Sequence, residues 1–453
     1  MIRKRSALRA AVIAAFAWLS GCASTSPEPA FQDMSRLVEA RSGHSVVWSR
    51  DTEDPEIVAA IDRLLEQELT ADRAVSIALL GNPSLRAAFE DLSIAQADLV
   101  QAGLLKNPVL GAGLVGSGLF VTLEQDFLDL AMIPMRKRVA AADLEAAKLR
   151  VGDRVLALSA EVRGAFFAAQ AAEQTAAMRR IVREAAEAAA ELARRQHEAG
   201  TIGDLELSSE LSLASQVRID LQRAEGEVAV ERERLTRLLG LWGKRTAYRI
   251  GPKLPDLPAE EASLDHLERT AIEHRLDVAA ARREVESLRY ALSMAKTLRW
   301  TGFVSVQVEA AKERGEHRIS FGPSASLELP IFDQRQAAIA KLEALEHASL
   351  NRLHSISIDA RSEVREARAR VLTARALVEE YGSVLVPIRE RLVQLSQQHY
   401  AAMLLGVYDL LLAKQSELST YREHIEALRD YWIARSDLER ALGTRAPFPT
   451  KAR

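Results

Sequence analysis

The sequence predicts a mainly α-helical protein with a small β portion, in which one arrangement occurs twice: helix, β-hairpin, long helix and return helix. Three observations predict this fold class. Residues 135–199 contain no proline and are rich in Ala, Glu, Arg and Leu, which are strong helix formers. Residues 334–403 have a similar composition. Short segments with β-strand character precede both runs, so the two halves indicate a duplication.

The first long run carries a heptad-like stripe in which apolar or small residues recur at alternating four- and three-residue spacing. The stripe comprises Leu144, Val151, Val155, Leu158, Val162, Ala165, Ala169, Ala172 and Ala176, with one interruption at Lys148. Residues 360–385 continue the same alternation in the second run, and Pro387 then predicts a kink or a joint. Such stripes are typical of helices packed lengthwise on other helices. At 1.5 Å per residue, about 65 residues extend roughly 100 Å.

The β segments precede these runs. Residues 108–127 predict two strands joined near residues 116–118, and residues 303–332 predict two strands around the polar loop 311–317. Strands of about 8 to 10 residues approach the length that a tilted transmembrane strand needs. Because an open sheet leaves its edge N–H and C=O groups unsatisfied in lipid, four strands per chain require a closed barrel. Three chains would supply twelve strands and close one.

The N-terminus has the pattern of an export signal. Basic residues at positions 3–5 precede an apolar stretch at 7–19, which is too short to remain as a membrane-spanning helix. The sequence Leu-Ser-Gly-Cys that ends at Cys22 resembles a bacterial lipobox, and Cys22 is the only cysteine. We therefore expect a lipoprotein whose Cys22 is lipidated, with palmitate among its acyl chains. The alternative is an ordinary cleaved signal peptide with a chance cysteine, which would also export the protein.

These features predict the following organisation along the chain. Residues 1–21 form the signal peptide, and residues 22–68 form a tether and an equatorial segment. The first repeat is 69–250, with its hairpin at 108–127, long helix at 131–199 and return helix at 205–239. A proline-rich link at 251–262 leads to the second repeat at 263–443, with its hairpin at 303–332, long helix at 334–403 and return helix at 409–442. Residues 444–453 are a C-terminal tail.

The doubled order resembles the TolC family of outer-membrane efflux proteins over residues 69–443. The lipobox, the helix that begins at Asn82-Pro83, the Leu-Pro-Ile-Phe-Asp motif at 329–333 and the tip turns carry the resemblance. It implies a homotrimer with an α-helical tunnel and a 12-stranded transmembrane β-barrel, four strands per chain, in the cell outer membrane. It also implies two partners, a periplasmic adaptor (a membrane fusion protein) and an inner-membrane pump. The first hairpin departs from the family pattern, because its strands are rich in glycine and its loop is very short.

The two tip turns join each long helix to its return helix, and they are the candidate adaptor-docking and gate residues. The first turn comprises Gly200, Thr201, Ile202, Gly203, Asp204 and Leu205; the second comprises Leu404, Leu405, Gly406, Val407, Tyr408 and Asp409. Their role follows from the resemblance. A ring of carboxylates from Asp204 or Asp409 would repel anions and favour cations at a narrow mouth. The alternative is that both residues cap the return helices.

The remaining sequence motifs do not predict a catalytic, metal or cofactor site. His197 and His399 precede the tips at similar places and could bind metal or sense pH in a trimer, but ordinary exposed helix positions explain them. Residues 111–116 match G-x-G-x-x-G, yet a strand follows instead of a helix, so no dinucleotide site is implied. No catalytic or zinc-spaced constellation occurs, and we expect no enzyme activity, metal or cofactor. A net charge of -3 argues against nucleic acid as the main partner.

Together these features predict a passive exit duct of a tripartite efflux system, which conducts substrates from the adaptor and pump to the exterior. Two alternatives stay open: an exit duct for type I protein secretion, and a non-conducting, lipid-anchored periplasmic coiled-coil scaffold. The hairpins distinguish a duct from a scaffold, because only a duct needs strands that insert into lipid.

Overall fold

The chain folds mostly into α-helices in this computed structural model, which describes residues 25–51, 54–115, 118–259, 266–300, 304–312 and 319–445. The first half contains α1 (Glu28–Ser42), α2 (Pro55–Leu65), α3 (Ala71–Gly81), α4 (Pro83–Gly103), β1 (Val109–Val115), β2 (Gly118–Asp126), α5 (Leu128–Glu198) and α6 (Asp204–Leu239). The second half contains α7 (Leu267–His274), α8 (Leu276–Thr297), β3 (Val304–Lys312), β4 (Ser320–Leu327), α9 (Gln336–Glu380), α10 (Val386–Ala401) and α11 (Val407–Leu442). The expected signal peptide, Cys22 and most of the C-terminal tail lie outside the described residues.

Both halves follow the predicted order of helix, hairpin, long helix and return helix, which confirms the duplicated fold class. The first long helix, α5, has 71 residues and includes Pro134 in its second turn. It begins at Leu128, three residues before the expected start at 131. Within the described part of the chain, no helix combines the length and the apolar character that crossing a membrane requires.

The joint that Pro387 predicts is present in the second long helix. A π-helical turn, Tyr381–Leu385, separates α9 from α10, and Pro387 lies in the first turn of α10. A proline ring clashes with the carbonyl group four residues earlier in a regular helix. That carbonyl belongs to Ser383, inside the π-helical turn. The π-helical turn is wider than an α-helical turn, so it accommodates the ring of Pro387, and the long helix continues into α10.

The two return helices have the same length. Each of α6 and α11 has 36 residues, and each ends at a glycine with left-handed backbone, Gly240 and Gly443. Their N-cap residues are Gly203 and Gly406. A constant separation of 203 positions relates these caps, so every residue of one return helix has a defined counterpart in the other.

The chain divides into two compact units, and both repeats contribute to each unit. The first unit, Met1–Asp33, Glu90–Lys148 and Ala280–Arg352, holds the β-structure. Its four strands form one antiparallel sheet in the order β1-β2-β3-β4. The hairpins of the two repeats meet along β2 and β3, from Leu119 opposite Lys312 to Asp126 opposite Ser305.

A buried carboxylate fixes the junction between the first hairpin and α5. Asp129 is 1% exposed and accepts hydrogen bonds from Arg136 at 2.7 and 3.2 Å and from the Lys106 backbone N–H at 3.2 Å. Arg136 also donates to the Leu104 carbonyl at 3.2 Å. Burial raises the pKa of Asp129, but the hydrogen bonds and positive charges of Arg136 and Lys106 outweigh it and hold the pKa below its ordinary value.

The second unit, Met34–Phe89, Leu149–Ala279 and Leu353–Arg453, contains the packed helical core. The predicted stripes of both long helices are buried there. Buried members of the stripes are Val151, Val155, Val162, Ala165, Ala169 and Ala176 in α5, and Ala360, Val364, Ala367, Val371, Ala374 and Val378 in α9. Leu158 and Ala172 are half-buried. Small side chains at these positions allow neighbouring helices to approach closely.

Candidate functional site

The first tip turn ends α5 with a Schellman motif. Gly200 has a φ of +73°, and its N–H donates to the His197 carbonyl at 2.8 Å. The Thr201 N–H donates to the Gln196 carbonyl at 2.9 Å. These two bonds satisfy carbonyl groups that would otherwise lack partners at the helix end. Glycine suits the turn because side chains strain a left-handed backbone.

Gly203, not Asp204, is the N-cap of the return helix α6. The Gly203 N–H donates to Glu206 Oε2 at 3.0 Å, which is the backbone half of a capping box. Asp204 is the first residue inside the helix, and its side chain is 96% exposed. The expectation that Asp204 caps α6 is therefore wrong, because the turn closes one residue earlier and Glu206 supplies the capping carboxylate. Negative charge in the first turn still favours the helix dipole.

His197 spans the first tip turn. Its Nδ1 lies 3.2 Å from the Ile202 carbonyl oxygen, and its Nε2 lies 3.4 Å from Asp204 Oδ1. A neutral imidazole carries only one N–H, whereas the protonated ring can donate to both oxygens. The Asp204 side chain is exposed to solvent, so the ion pair is worth about 0 to 1 kcal/mol. His197 is thus an internal contact of the turn.

The second tip repeats the backbone of the first with different side chains. The Met403 N–H donates to the Tyr400 carbonyl at 2.9 Å, and the Leu404 N–H donates to the His399 carbonyl at 2.9 Å. Met403 has a φ of +57° and occupies the place of Gly200. At the 203-residue separation, Tyr400 corresponds to His197. His197 and His399 both lie in the last turn before a tip, as expected, but they are one position apart in the two motifs.

The carboxylates of the tips also differ in position. Asp409 is the third residue of α11 and the counterpart of Glu206, whereas Asp204 corresponds to the first residue of α11. Gly406 holds the N-cap position, so neither aspartate caps a helix as the alternative expected. Apolar side chains accompany them on the tips: Leu205, Met403 and Leu404 are 72%, 94% and 74% exposed. Exposed apolar groups among carboxylates are typical of a contact surface.

The sheet of the first unit has two chemically different faces. Alternation along each strand and the register between strands place the following residues on one face: Leu110, Ala112, Leu114, Leu119, Val121, Leu123, Val304, Val306, Val308, Ala310, Phe321, Pro323, Ala325 and Leu327. The opposite face carries Gly111, Gly113, Phe120, Thr122, Glu124, Ser305, Gln307, Glu309, Ser320, Gly322, Ser324 and Ser326. The first face is apolar except for Gln125 and Lys312 near its ends. The second face is mostly polar or small, with Val109 and Phe120 among its larger apolar members.

The glycine-rich strand β1 is explained by its neighbour. A Cβ atom on Gly113 would lie 2.5 Å from the Phe120 ring, and one on Gly111 would lie 2.5 Å from Thr122 Oγ1. Phe120 faces Gly113 across the strand pair, so its ring occupies the space that a side chain at 113 would need. An aromatic ring that covers a glycine on the next strand is a known way to stabilise such a strand.

In the described part of the chain, β1 and β4 are the two edges of this sheet, and each pairs with one neighbour. Each edge therefore presents backbone N–H and C=O groups that the sheet itself does not pair. The described residues contain no group of three or more His, Cys, Asp or Glu side chains arranged to hold a metal ion.

Comparisons with known proteins agree with this architecture. Residues 268–444 match the family model for outer membrane efflux proteins. No curated protein matches the chain in sequence. A membrane protein from Pseudomonas aeruginosa superposes with a TM-score of 0.73 at 21% identity, over 82% of this chain and 92% of its own.

Two further solved structures have the same fold. The outer membrane channel CmeC of Campylobacter jejuni has a TM-score of 0.73 at 14% identity, over 90% of this chain and 91% of its own. The outer membrane protein VceC of Vibrio cholerae has a TM-score of 0.67 at 18% identity, over 85% of this chain and 96% of its own. The likeness confirms the predicted fold class.

Proposed function

Since residues 268–444 match the family model for outer membrane efflux proteins and most of the chain has the fold of outer-membrane channels, we propose that three copies form the exit duct of a tripartite efflux system. The duct lies in the cell outer membrane and extends into the periplasm. It conducts substrates passively, performs no reaction and uses no cofactor. A periplasmic adaptor and an inner-membrane pump supply its cargo and the energy.

The observation that carries the proposal is the two-faced sheet with two open edges. Lipid requires apolar side chains outside and every backbone group paired, and only a closed barrel of strands meets both conditions. The apolar face, which includes Leu110, Val121 and Phe321, meets the first condition when it faces lipid. Pairing of β4 in one copy with β1 in the next meets the second condition. Three copies then form twelve strands around a polar lumen.

The tip turns serve as the adaptor-docking and gate region. Leu205, Met403 and Leu404 supply exposed apolar contacts. Asp204 and Asp409 supply exposed carboxylates. In a trimer these carboxylates form rings that favour cations over anions at the mouth. Lipidation of Cys22, with palmitate, anchors each chain to the outer membrane.

The test is conductance of the purified trimer in planar lipid bilayers, with substitutions placed on the two faces of the sheet. We expect Val121→Arg, on the apolar face, to block insertion because a charge in lipid costs about 2 to 4 kcal/mol at midplane depth. Thr122→Arg, one residue away on the polar face, should insert and reduce cation preference. Asp409→Ala should raise conductance if the second tip restricts the mouth.

The outcomes separate the duct from the scaffold. Conductance that depends on the face substituted supports the duct and excludes a non-conducting scaffold. A trimer that inserts but never conducts, even with Asp409→Ala, overturns the proposal. Equal tolerance of arginine on both faces would also overturn it, since the sheet would then not separate lipid from a lumen.

A further inference from the structure

The helical unit contains a cavity that the duct does not explain. Its volume is about 1040 Å³, and α5, α6, α9, α11 and the link after α6 line it. Apolar side chains make up most of its wall, among them Met178, Val182, Leu213, Leu257, Leu411 and Leu418. Sites for drug-sized molecules occupy about 300 to 1,000 Å³ and have walls of this kind. One turn of a helix with its side chains takes on the order of 500 Å³, so a partner helix could place only about two turns here.

Most charged groups in the wall are already paired. Lys253 Nζ lies 3.1 Å from Asp256 Oδ1 on the link. Lys414 pairs with Glu417 on α11. Glu379 on α9 forms an ion pair with Arg375, with 2.9 Å between Glu379 Oε1 and Arg375 Nε. Each of these wall groups therefore has a partner of opposite charge, and the partner of Glu379, Arg375, lies outside the wall.

Two further titratable groups lie in the wall, and burial disfavours the charged form of each. Burial, followed by the positive charge of Lys253, lowers the pKa of His424. Burial and a hydrogen bond to Glu390 raise the pKa of Tyr421 to about 12. The α5 residues in the wall, such as Gln174 and Met178, carry no charge.

Glu210 differs from all of these groups. It lies on α6 in the wall of the cavity and is half-buried. Among the described residues it has no ion pair and no hydrogen-bond partner for its side chain. Burial raises the pKa of its carboxyl group, which reflects loss of water around the carboxylate without a compensating cation. An apolar cavity thus carries one uncompensated acidic group.

We propose that this cavity binds an apolar organic cation, whose aromatic or aliphatic body fills the space between the helices and whose positive charge pairs with Glu210. The charge complementarity selects a cation over an anion, because an anion would meet an unpaired carboxylate in a partly dehydrated site. The binding site lies outside the sheet and the tips. It can therefore be measured on protein that does not conduct, and its failure is distinguishable from failure of the proposed duct.

The experiment compares two probes of one shape and opposite charge, tetraphenylphosphonium and tetraphenylborate. Equilibrium dialysis of each probe against the full-length protein in detergent, with detergent alone as the blank, measures binding per chain. We expect saturable binding of one tetraphenylphosphonium per chain and much weaker binding of tetraphenylborate. Glu210→Gln should weaken cation binding about tenfold, because it removes the carboxylate charge that attracts the phosphonium across a partly dehydrated site.

Two variants keep the result interpretable. Glu233→Gln makes the same change at an exposed position on the same helix, away from the cavity wall, and should leave cation binding unchanged. Ala186→Trp fills the cavity and should abolish binding of both probes, while circular dichroism confirms that the helices are intact.

Three results would overturn the proposal. The first is equal cation affinity for the unaltered protein and Glu210→Gln. The second is tetraphenylborate binding as tight as that of tetraphenylphosphonium. The third is absence of tetraphenylphosphonium binding together with binding of a basic amphipathic helical peptide, which would assign the cavity to a protein partner.

Discussion

Asn82 and Arg275 donate hydrogen bonds to equivalent carbonyl groups at the ends of the two return helices. Asn82 Nδ2 lies 2.8 Å from the Leu238 oxygen, and Arg275 Nη1 lies 3.4 Å from the Ala441 oxygen. Each acceptor precedes the last residue of its helix by one position. Each donor directly follows the short helix α3 or α7. The duplication has therefore kept the contact while an amide in one repeat and a guanidinium in the other perform it.

Asn82→Ala should destabilise the helical unit by about 1 to 3 kcal/mol. The substitution removes the bond to Leu238, and it also removes the Asn82 Oδ1 acceptor for the N–H groups of Ser84 and Leu85 at 2.9 and 3.2 Å. Denaturant unfolding followed by circular dichroism measures the loss. Asn82→Ser keeps a side-chain oxygen acceptor at the cap and loses the bond to Leu238, so it should cost less than Asn82→Ala. An equal loss for the two variants would contradict the capping role.

Arg136→Gln should destabilise the hairpin junction by about 3 to 5 kcal/mol, because it leaves the buried Asp129 carboxylate without its guanidinium. Hydrogen exchange of the first residues of α5 reports this loss locally. Lys106→Gln changes an exposed partner of the same carboxylate and should cost about 1 kcal/mol or less. Similar costs for the two substitutions would show that Arg136 has no special role.

The Asp129 contact also predicts a pH dependence. Its folded-state pKa is lowered, so the stability it contributes is fully present above the ordinary aspartate value of about 3.9 and is lost as pH falls through the folded value. We expect junction amides to lose protection in acid. Asp129→Asn should remove that part of the acid sensitivity, although it lowers stability at pH 7. Acid sensitivity that persists unchanged in the variant would assign it to another carboxylate.

The two tips should respond oppositely to exchange of their left-handed residues. Gly200→Ala adds a side chain at a φ of +73° and should destabilise the first tip by about 1 kcal/mol. Met403→Gly relieves the same strain at +57° and should stabilise the second tip by a similar amount, about 1 kcal/mol. Hydrogen exchange at the Thr201 and Leu404 amides measures both. A change of the same sign at both tips would refute the shared Schellman motif.

Gly113 and Phe120 should show energetic coupling. Gly113→Ala places a Cβ where the Phe120 ring lies and forces the ring aside, at a cost of about 1 to 3 kcal/mol. In the Phe120→Ala background the same substitution should cost much less. Heat stability of the purified protein, measured for the single and double variants, gives the coupling as a double-mutant cycle. Additive costs would mean that the ring and the glycine are independent.

The order of elements was predictable because heptad spacing, glycine turns and prolines are local signals. Pro387 predicted the joint because a proline disturbs one specific carbonyl, that of Ser383. The N-cap residues of the two return helices, Gly203 and Gly406, were not predicted because glycine has no side chain that can cap a helix. Glu206 could have indicated the N-cap at Gly203, because it lies three residues later, as in a capping box. The match of residues 268–444 confirms the resemblance to outer-membrane efflux proteins over the second repeat.

Other features depend on packing between distant segments, which one sequence does not specify. Glu210 is an ordinary helix residue in the sequence, and its isolation arises only where four helices from both repeats surround it. The pairing of Gly113 with Phe120 likewise depends on the strand register.

The equal length of α6 and α11 restricts how such a protein can change in size. Each return helix is held at one end by Asn82 or Arg275 and at the other by a tip turn. Inserting one residue would rotate everything beyond it by about 100° and shift it by about 1.5 Å. A seven-residue insertion nearly restores the original face. We therefore expect that a longer form of this protein would carry insertions of seven residues. Equal insertions would occur in both return helices and in the long helices that pair with them.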